Sequence, residues 1–197
     1  MTKEARAAAF SSHGLDVDMV NCHPALLARF ASSELGEGSA PVLQAFARNT
    51  ACWRELVRVM FDVDAQEAKK ELQKIVYMGR PRGEWPQLWA LSRDARRAAR
   101  GLLATPAFVN LHNMFARRRN PFATRMSYAL MALEDAALEN MVSAIDEAMP
   151  AANVACYLFD GFVVTSPTPI HRPDLQREVA EAVQSYGVHV KIAEFNA

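Results

Sequence analysis

Val154-Ala-Cys-Tyr-Leu-Phe-Asp-Gly-Phe-Val-Val-Thr165 is the stretch on which the reading of this chain turns. Two short runs rich in β-formers, 154–159 and 162–165, are hinged at Asp160-Gly161, a dipeptide that tolerates the positive φ of a tight hairpin turn. Upstream, Asn120-Pro121 is an N-cap and first-turn pair. Beyond it Met126, Leu130, Leu133, Ala137, Met141, Ile145 and Ala148 mark one apolar stripe on a long helix that Pro150 stops. Downstream, Thr165-Ser-Pro-Thr-Pro reads as loop, Pro173 and Asp174 open a helix to Ser185, and Gly187 ends it. Residues 188–195 alternate as a closing strand. Near the start of the chain, Leu15, Val17 and Met19 alternate with Asp16 and Asp18, which is a strand with one apolar face and two carboxylates on the other.

Between that first strand and the long helix the pattern is helical. His23-Pro24 ends the strand and residues 25–31 start a helix. Residues 32–41 form a connection, with Pro41 suited to the first turn of the next helix. That helix carries Val42, Phe46, Trp53, Leu56, Val57 and Met60 at helical spacing. Asp62 and Asp64 cap a further helix through Val76, Gly79–Pro86 breaks the pattern, and 87–104 is helical again. With the helical insertion removed the order is βαββαβ, a split antiparallel arrangement in an α+β chain. No internal repeat or low-complexity segment interrupts it.

The 197 residues, 51% apolar and 22% charged, are enough for one domain, or one with a large insertion, to bury its own core. That composition excludes disordered, collagen-like and disulfide-scaffold classes. No apolar run reaches the ~18 residues of a membrane span, and the opening ten residues lack a signal-peptide apolar stretch, so an intracellular protein with no membrane partner is expected. Cys22, Cys52 and Cys156 are far apart and show no metal-ligand spacing, which fits a reducing compartment.

Twenty-two basic residues balance 22 acidic ones, but they are segregated. From Arg80 to Arg125 there are ten arginines, no lysine and two acids, a local charge of +8. From Glu134 onward ten acids face three bases, a local charge of −7. An arginine-only basic segment suits planar, bidentate recognition of phosphates. The alternative is a solvated helix face that pairs with the acidic third of the chain.

In a βαββαβ sheet the first strand and the hairpin are neighbours at the centre, which brings Asp18 toward Asp160. Two carboxylates converging from different strands are hard oxygen ligands suited to two Mg²⁺ ions, whose remaining positions are filled by substrate phosphates and water. A capping and a turn aspartate are the alternative.

The segment Asp18-Met-Val-Asn-Cys-His-Pro resembles the first catalytic motif of right-hand-shaped DNA polymerases. Asn21 and His23 fall at the polar and steric-gate positions of the family A form, and His23-Pro24 at the aromatic-proline positions of the family B form. Cys156–Val164 resembles the third motif, most like family A; that family's preceding His is Phe159 here and its following Glu is Gly161. Ala68–Gly79 resembles the second motif, on a fingers helix: Lys69 and Tyr77 satisfy the family A spacing of eight, Lys70 and Tyr77 the family B spacing of seven. Where family A has an arginine and a glycine this chain has Ala65 and Met78. A lysine two turns from an aromatic lies near the same helix face, so in the role the resemblance implies an ammonium can grip triphosphate while the ring stacks near base or sugar.

The resemblance covers residues 15–195. It implies a palm over 1–31 and 120–197, a helical fingers-like insertion over 32–119, and neither thumb nor exonuclease domain, so that further polymerase domains or a partner subunit complete it. It implies a DNA-directed DNA polymerase, a nucleotidyltransferase in which Asp18 and Asp160 hold two Mg²⁺ ions. The partners are DNA primer–template and deoxynucleotides, with an RNA template left open. Lys69 or Lys70, Tyr77, Asn21, His23 and Arg80 would bind the nucleotide. Arg117, Arg118, Arg119, Arg125 and Glu134, on or just before the long helix, would contact nucleic acid. A catalytically silent, polymerase-derived nucleic-acid-binding module and an α-rich scaffold are the other readings.

Overall fold

The computed structural model describes residues 9–10, 14–158 and 160–194. Residues 1–8, 11–13, Phe159 and 195–197, with the last residue of the expected closing strand, lie outside them. The chain is α+β. Its described residues divide into two compact units, one from Met1–Cys22 with Glu134–Ala197 and one from His23–Leu133. The sequence pattern places the same division in the flanking segments, at 31/32 and 119/120. In the structure it falls within two helices, α1 (Cys22–Glu34) and α7 (Pro121–Ala148).

The first unit is built on an open four-stranded antiparallel sheet in the order β2-β3-β1-β4. β1 is Gly14–Val20, β2 Asn153–Tyr157, β3 Gly161–Thr165 and β4 His189–Glu194. Alternation sets the faces: Val17 and Met19 are buried, whereas Asp16 and Asp18, which alternate with them, are half-buried. Val17 stands opposite Phe162 on β3 and Ile192 on β4, and all three are at most 1% exposed. Leu138, Met141 and Ile145 of α7, with Leu175 and Val179 of α8 (Arg172–Ala182), add the helical share of this core. Of the predicted stripe on α7 in this unit, Ala137, Met141 and Ile145 are buried. Ala148 is exposed because it is the last helical residue before Pro150. Gly187, at φ 67°, closes the turn between α8 and β4.

Gly161 is required for a reason other than the one its turn position suggests. Its φ is not positive; the positive-φ glycines are Gly36, Gly38, Gly83 and Gly187. A Cβ at 161 would instead lie 2.0 Å from the Val17 carbonyl oxygen and 3.0 Å from both Asp18 Cα and Asp18 Oδ1. β3 therefore enters the sheet so close to β1 that no side chain fits between them. Met19 N–H donates to the Asp160 carbonyl at 2.8 Å just before that point, and Leu158 N–H to the Gly161 carbonyl at 2.8 Å closes the hairpin.

The second unit is helical: most of α1, then α2 (Pro41–Arg48), α3 (Thr50–Phe61), α4 (Ala65–Val76), α5 (Pro86–Ala104), the short α6 (Leu111–Met114) and the first half of α7. The expected single helix through Val42 and Met60 is two. Asn49 takes φ −144° and its side chain accepts the Cys52 N–H at 3.1 Å, so the N–H that would continue one helix is bonded instead to the cap of the next. The split also turns Leu56 and Met60 outward, at 43% and 54% exposure. Asp64 caps α4 through Glu67 N–H at 2.7 Å, and Asn120 caps α7 through Ala123 N–H at 3.3 Å, as their positions predict. Asp94 is 4% exposed and accepts the Val42 N–H at 2.8 Å, tying α5 to the amino end of α2.

Gly161→Ala is expected to destabilise the protein by about 2–3 kcal/mol, because the added methyl meets backbone that must move. Gly36→Ala, where only φ 93° opposes the side chain, should cost nearer ~1 kcal/mol. Urea denaturation of both variants checks the ranking.

Candidate functional site

Two groups of side chains carry chemistry, one in each unit. In the first, the register Asp18↔Gly161 sets Asp160 one residue beyond the point where β3 meets Asp18. Asp18 is half-buried at the end of β1 and Asp160 is exposed in the hairpin turn. Position 161 has no side chain, and Asp18 Oδ1 lies 3.0 Å from where a Cβ would stand. Lys191 stands across from Asp18 on β4, on the same face of the sheet. Cross-strand partners hold their Cβ atoms ~4.5–5.5 Å apart, so a fixed cation flanks the carboxylates on the side away from β3. Only the alternation of 188–195 hints at Lys191 in the sequence, because its partner is set by the sheet order.

Glu134 joins this group. It is 9% exposed, and its carboxylate accepts a hydrogen bond from the buried Cys22 thiol. Cys22 Sγ also lies 3.8 Å from Met19 Sδ. Burial first, then the negative charges of Glu134 and Asp160, drive the Cys22 pKa far above its ordinary value, so the group is a neutral thiol that donates. Glu134 and Asp160 therefore act on one side chain. The glutamate read from the sequence as a nucleic-acid contact is a buried member of the acidic end of the sheet.

The donor set suits a hard cation: carboxylate oxygens from a strand and the hairpin turn, with no thiolate. Among the described residues no three His, Cys, Asp or Glu side chains converge closely enough to hold a metal ion by themselves. Mg²⁺ does not need three, since phosphate and water oxygens complete its octahedron.

In the second unit Tyr77 and His23, 54 residues apart, are hydrogen-bonded through Tyr77 OH and His23 Nδ1, with the rings edge to face at 5.6 Å between centroids. Tyr77 is the C-cap of α4, and the turn that follows holds it there. Met78 N–H donates to the Ile75 carbonyl at 3.0 Å and Gly79 N–H to the Lys74 carbonyl at 2.7 Å, the paired bonds of a Schellman motif. That motif puts Met78 at φ 67°, a left-handed conformation that favours glycine. Arg96 Nη2 donates to the Met78 carbonyl at 2.5 Å, anchoring the turn to α5.

No protein-family model matches this chain, and no curated protein sequence matches it.

The remaining predicted residues are spread over both units. Lys69 and Lys70 are exposed on α4. Lys70 lines a cleft with Lys74, Arg82 and Phe61, and the Arg82 guanidinium stands 5.3 Å from the Phe61 ring centre. Arg80 is exposed and stacks over the Trp89 ring at 5.6 Å. Asn21, half-buried between β1 and α1, takes φ 52°, a left-handed turn that Asn tolerates. Arg117, Arg118 and Arg119 are exposed and pair with no carboxylate among the described residues. Arg125 differs. Its Nε donates to the Pro121 carbonyl at 3.2 Å, its Nη1 lies 2.9 Å from His112 Nδ1, and its guanidinium stands 5.9 Å from the Phe122 ring centre.

The raised pKa of Cys22 has a signed consequence. Below pH 9.0, the thiol's ordinary value, folded and unfolded states are both protonated and pH has no leverage through this group. Above it the unfolded chain ionises while the folded one does not, so stability falls as pH rises. Denaturation curves between pH 8 and 10 should show this loss, and Cys22→Ala should remove its share. At pH 8, alkylation mapped by mass spectrometry should label the exposed Cys52 and spare Cys22 until the protein unfolds.

Proposed function

We propose that this chain is a template-directed nucleotidyltransferase of the DNA polymerase type, with a palm on the four-stranded sheet and a fingers-like helical unit. The observation that supports this reading is the register of the two central strands, in which Asp18 stands opposite Gly161, the residue that follows Asp160. The Tyr77–His23 hydrogen bond supports it separately, because the two residues assigned to the nucleotide's sugar meet within the helical unit. No helix among the described residues is long and apolar enough to cross a membrane.

Two Mg²⁺ ions held by Asp18 and Asp160 would supply Lewis-acid activation of the attacking hydroxyl and neutralise the leaving group. The primer 3′-hydroxyl attacks the α-phosphorus of a deoxynucleoside triphosphate. The bond to the bridging oxygen breaks, pyrophosphate leaves with the electron pair, and the hydroxyl proton passes to water. Glu134, kept in place by the Cys22 thiol, adds negative charge behind the two aspartates and strengthens their hold on cations. Lys69 or Lys70 and Arg80 attract the triphosphate. Tyr77 presents its ring to base or sugar while its hydroxyl is tied to His23, which screens the sugar. The exposed Arg117, Arg118 and Arg119 follow backbone phosphates of primer–template.

One observation favours the silent binding module instead. Position 161, where the family carries a carboxylate, has no room for a side chain against the Val17 carbonyl, so the hairpin presents one acid rather than two.

Primer extension with Mg²⁺ and deoxynucleotides separates the two readings. Asp18→Ala and Asp160→Ala should each lower the rate by roughly a thousandfold, about 4 kcal/mol of barrier, with DNA affinity unchanged. Full activity in either variant rejects the assignment, and DNA binding without extension by the unaltered protein selects the silent module.

Tyr77→Phe keeps the ring and removes the bond to His23. Losing about 1.4 kcal/mol of positioning should raise KM for deoxynucleotides about tenfold and narrow the preference for deoxy- over ribonucleotides. Steady-state kinetics with both sugar types reads this directly.

A further inference from the structure

The outer face of α5 has no part in either group. Its inner face is packed core, with Leu88, Leu91, Ala95, Ala98, Ala99 and Leu102 at most 2% exposed. On the opposite face Trp89, Arg93, Arg97 and Arg100 recur at helical spacing and all are exposed. They form one stripe, about 16 Å from end to end at 1.5 Å per residue.

The stripe's charge is poorly neutralised. Arg93 has a 77% exposed side chain and lies 3.7 Å from Asp94, but that carboxylate is buried and its other oxygen holds Val42 N–H. Arg97 gives one N–H to the Ser39 carbonyl at 3.2 Å. Arg100 pairs with no carboxylate among the described residues. Three guanidinium groups, whose planar forks match phosphate oxygens, are thus turned to solvent along one line. At the head of the line Trp89 is 40% exposed, and its ring is held in place. Its Nε1 donates to the Gly83 carbonyl at 3.0 Å, and Arg80 covers part of the ring at 5.6 Å.

We propose that this stripe is a track for single-stranded nucleic acid, with Arg93, Arg97 and Arg100 along the phosphates and a base stacked on Trp89. A line of arginines alone would serve any polyanion. The fixed, half-open indole selects a strand with free base faces, which a duplex does not offer. The track goes beyond the polymerase reading and does not require it, because it rests on α5 alone.

Binding of a labelled oligothymidylate to the whole chain, followed by fluorescence anisotropy at several salt concentrations, tests the track. Arg93→Ala/Arg100→Ala leaves the Arg97–Ser39 bond in place and should flatten the log–log salt dependence by about 1.4, at 0.7 per lost phosphate on a single strand. Trp89→Ala should weaken binding about five- to a hundredfold at fixed salt, Trp89→Phe should recover much of that, and neither should alter affinity for blunt duplex. Arg58→Ala, which removes an exposed arginine paired with Glu55 at 2.6 Å in the same unit, should leave slope and affinity unchanged. An unchanged slope in the double variant rejects the track. So does a Trp89→Phe protein, melting as the parent does, that binds no better than Trp89→Ala, or an equal loss on duplex. Primer extension is a separate readout: an inactive protein that shows these losses keeps the track, and an active one without them loses the track alone.

Discussion

The approach of β3 to β1 at Gly161 is the contact on which the sheet and its acidic end depend. With the Val17 carbonyl 2.0 Å from where a Cβ would stand, only a bare backbone enters the sheet there. The result is a register that seats Asp18 over Gly161, places Asp160 in the adjoining turn, and leaves Val17, Phe162 and Ile192 stacked in the core. One missing side chain thus serves both the packing of the buried face and the register that sets Asp18 against the start of β3.

Gathering negative charge at one end of a sheet is costly in a partly buried setting, and the surroundings offset it in two ways. Cys22, held neutral by its burial, offers Glu134 a hydrogen-bond donor without adding charge. Lys191, one strand from Asp18 on the same face, contributes a cation. Asp160 remains exposed, where water screens it. A cation bound at this end would relieve the remaining repulsion, which is the physical basis of the proposal that it holds a hard metal.

The helical unit solves a different problem, that of fixing an aromatic ring at the end of a helix. Tyr77 sits where α4 stops, and the left-handed Met78 is stabilised by two backbone bonds and by Arg96, which offset the ~1 kcal/mol that a side chain costs in that conformation. The Tyr77 hydroxyl then needs only one partner, His23, to lose its remaining freedom. Arg96 is engaged in this task, whereas the neighbouring Arg93, Arg97 and Arg100 face solvent on α5.

Short-range features were legible in the sequence because their causes are short-range. The alternation in 15–19, the caps at Asp64 and Asn120, the hairpin at Asp160 and the stop at Pro150 all follow from residues within a turn of one another. The pairing of β1 with β3 at the sheet centre was legible too, through the βαββαβ order. What depended on distant neighbours was not. Gly161 reads as a turn glycine, yet its constraint is a carbonyl on another strand. Val42 to Met60 reads as one helix until Asn49 spends its side chain on the Cys52 amide. Glu134 reads as a surface contact, and its burial against Cys22 is set by residues 112 positions away in the sequence. By itself the sequence determined which segments are helix or strand and which residues carry charge. Tertiary structure alone decided which charges are buried together and which face solvent, because burial and pairing are properties of neighbours in space.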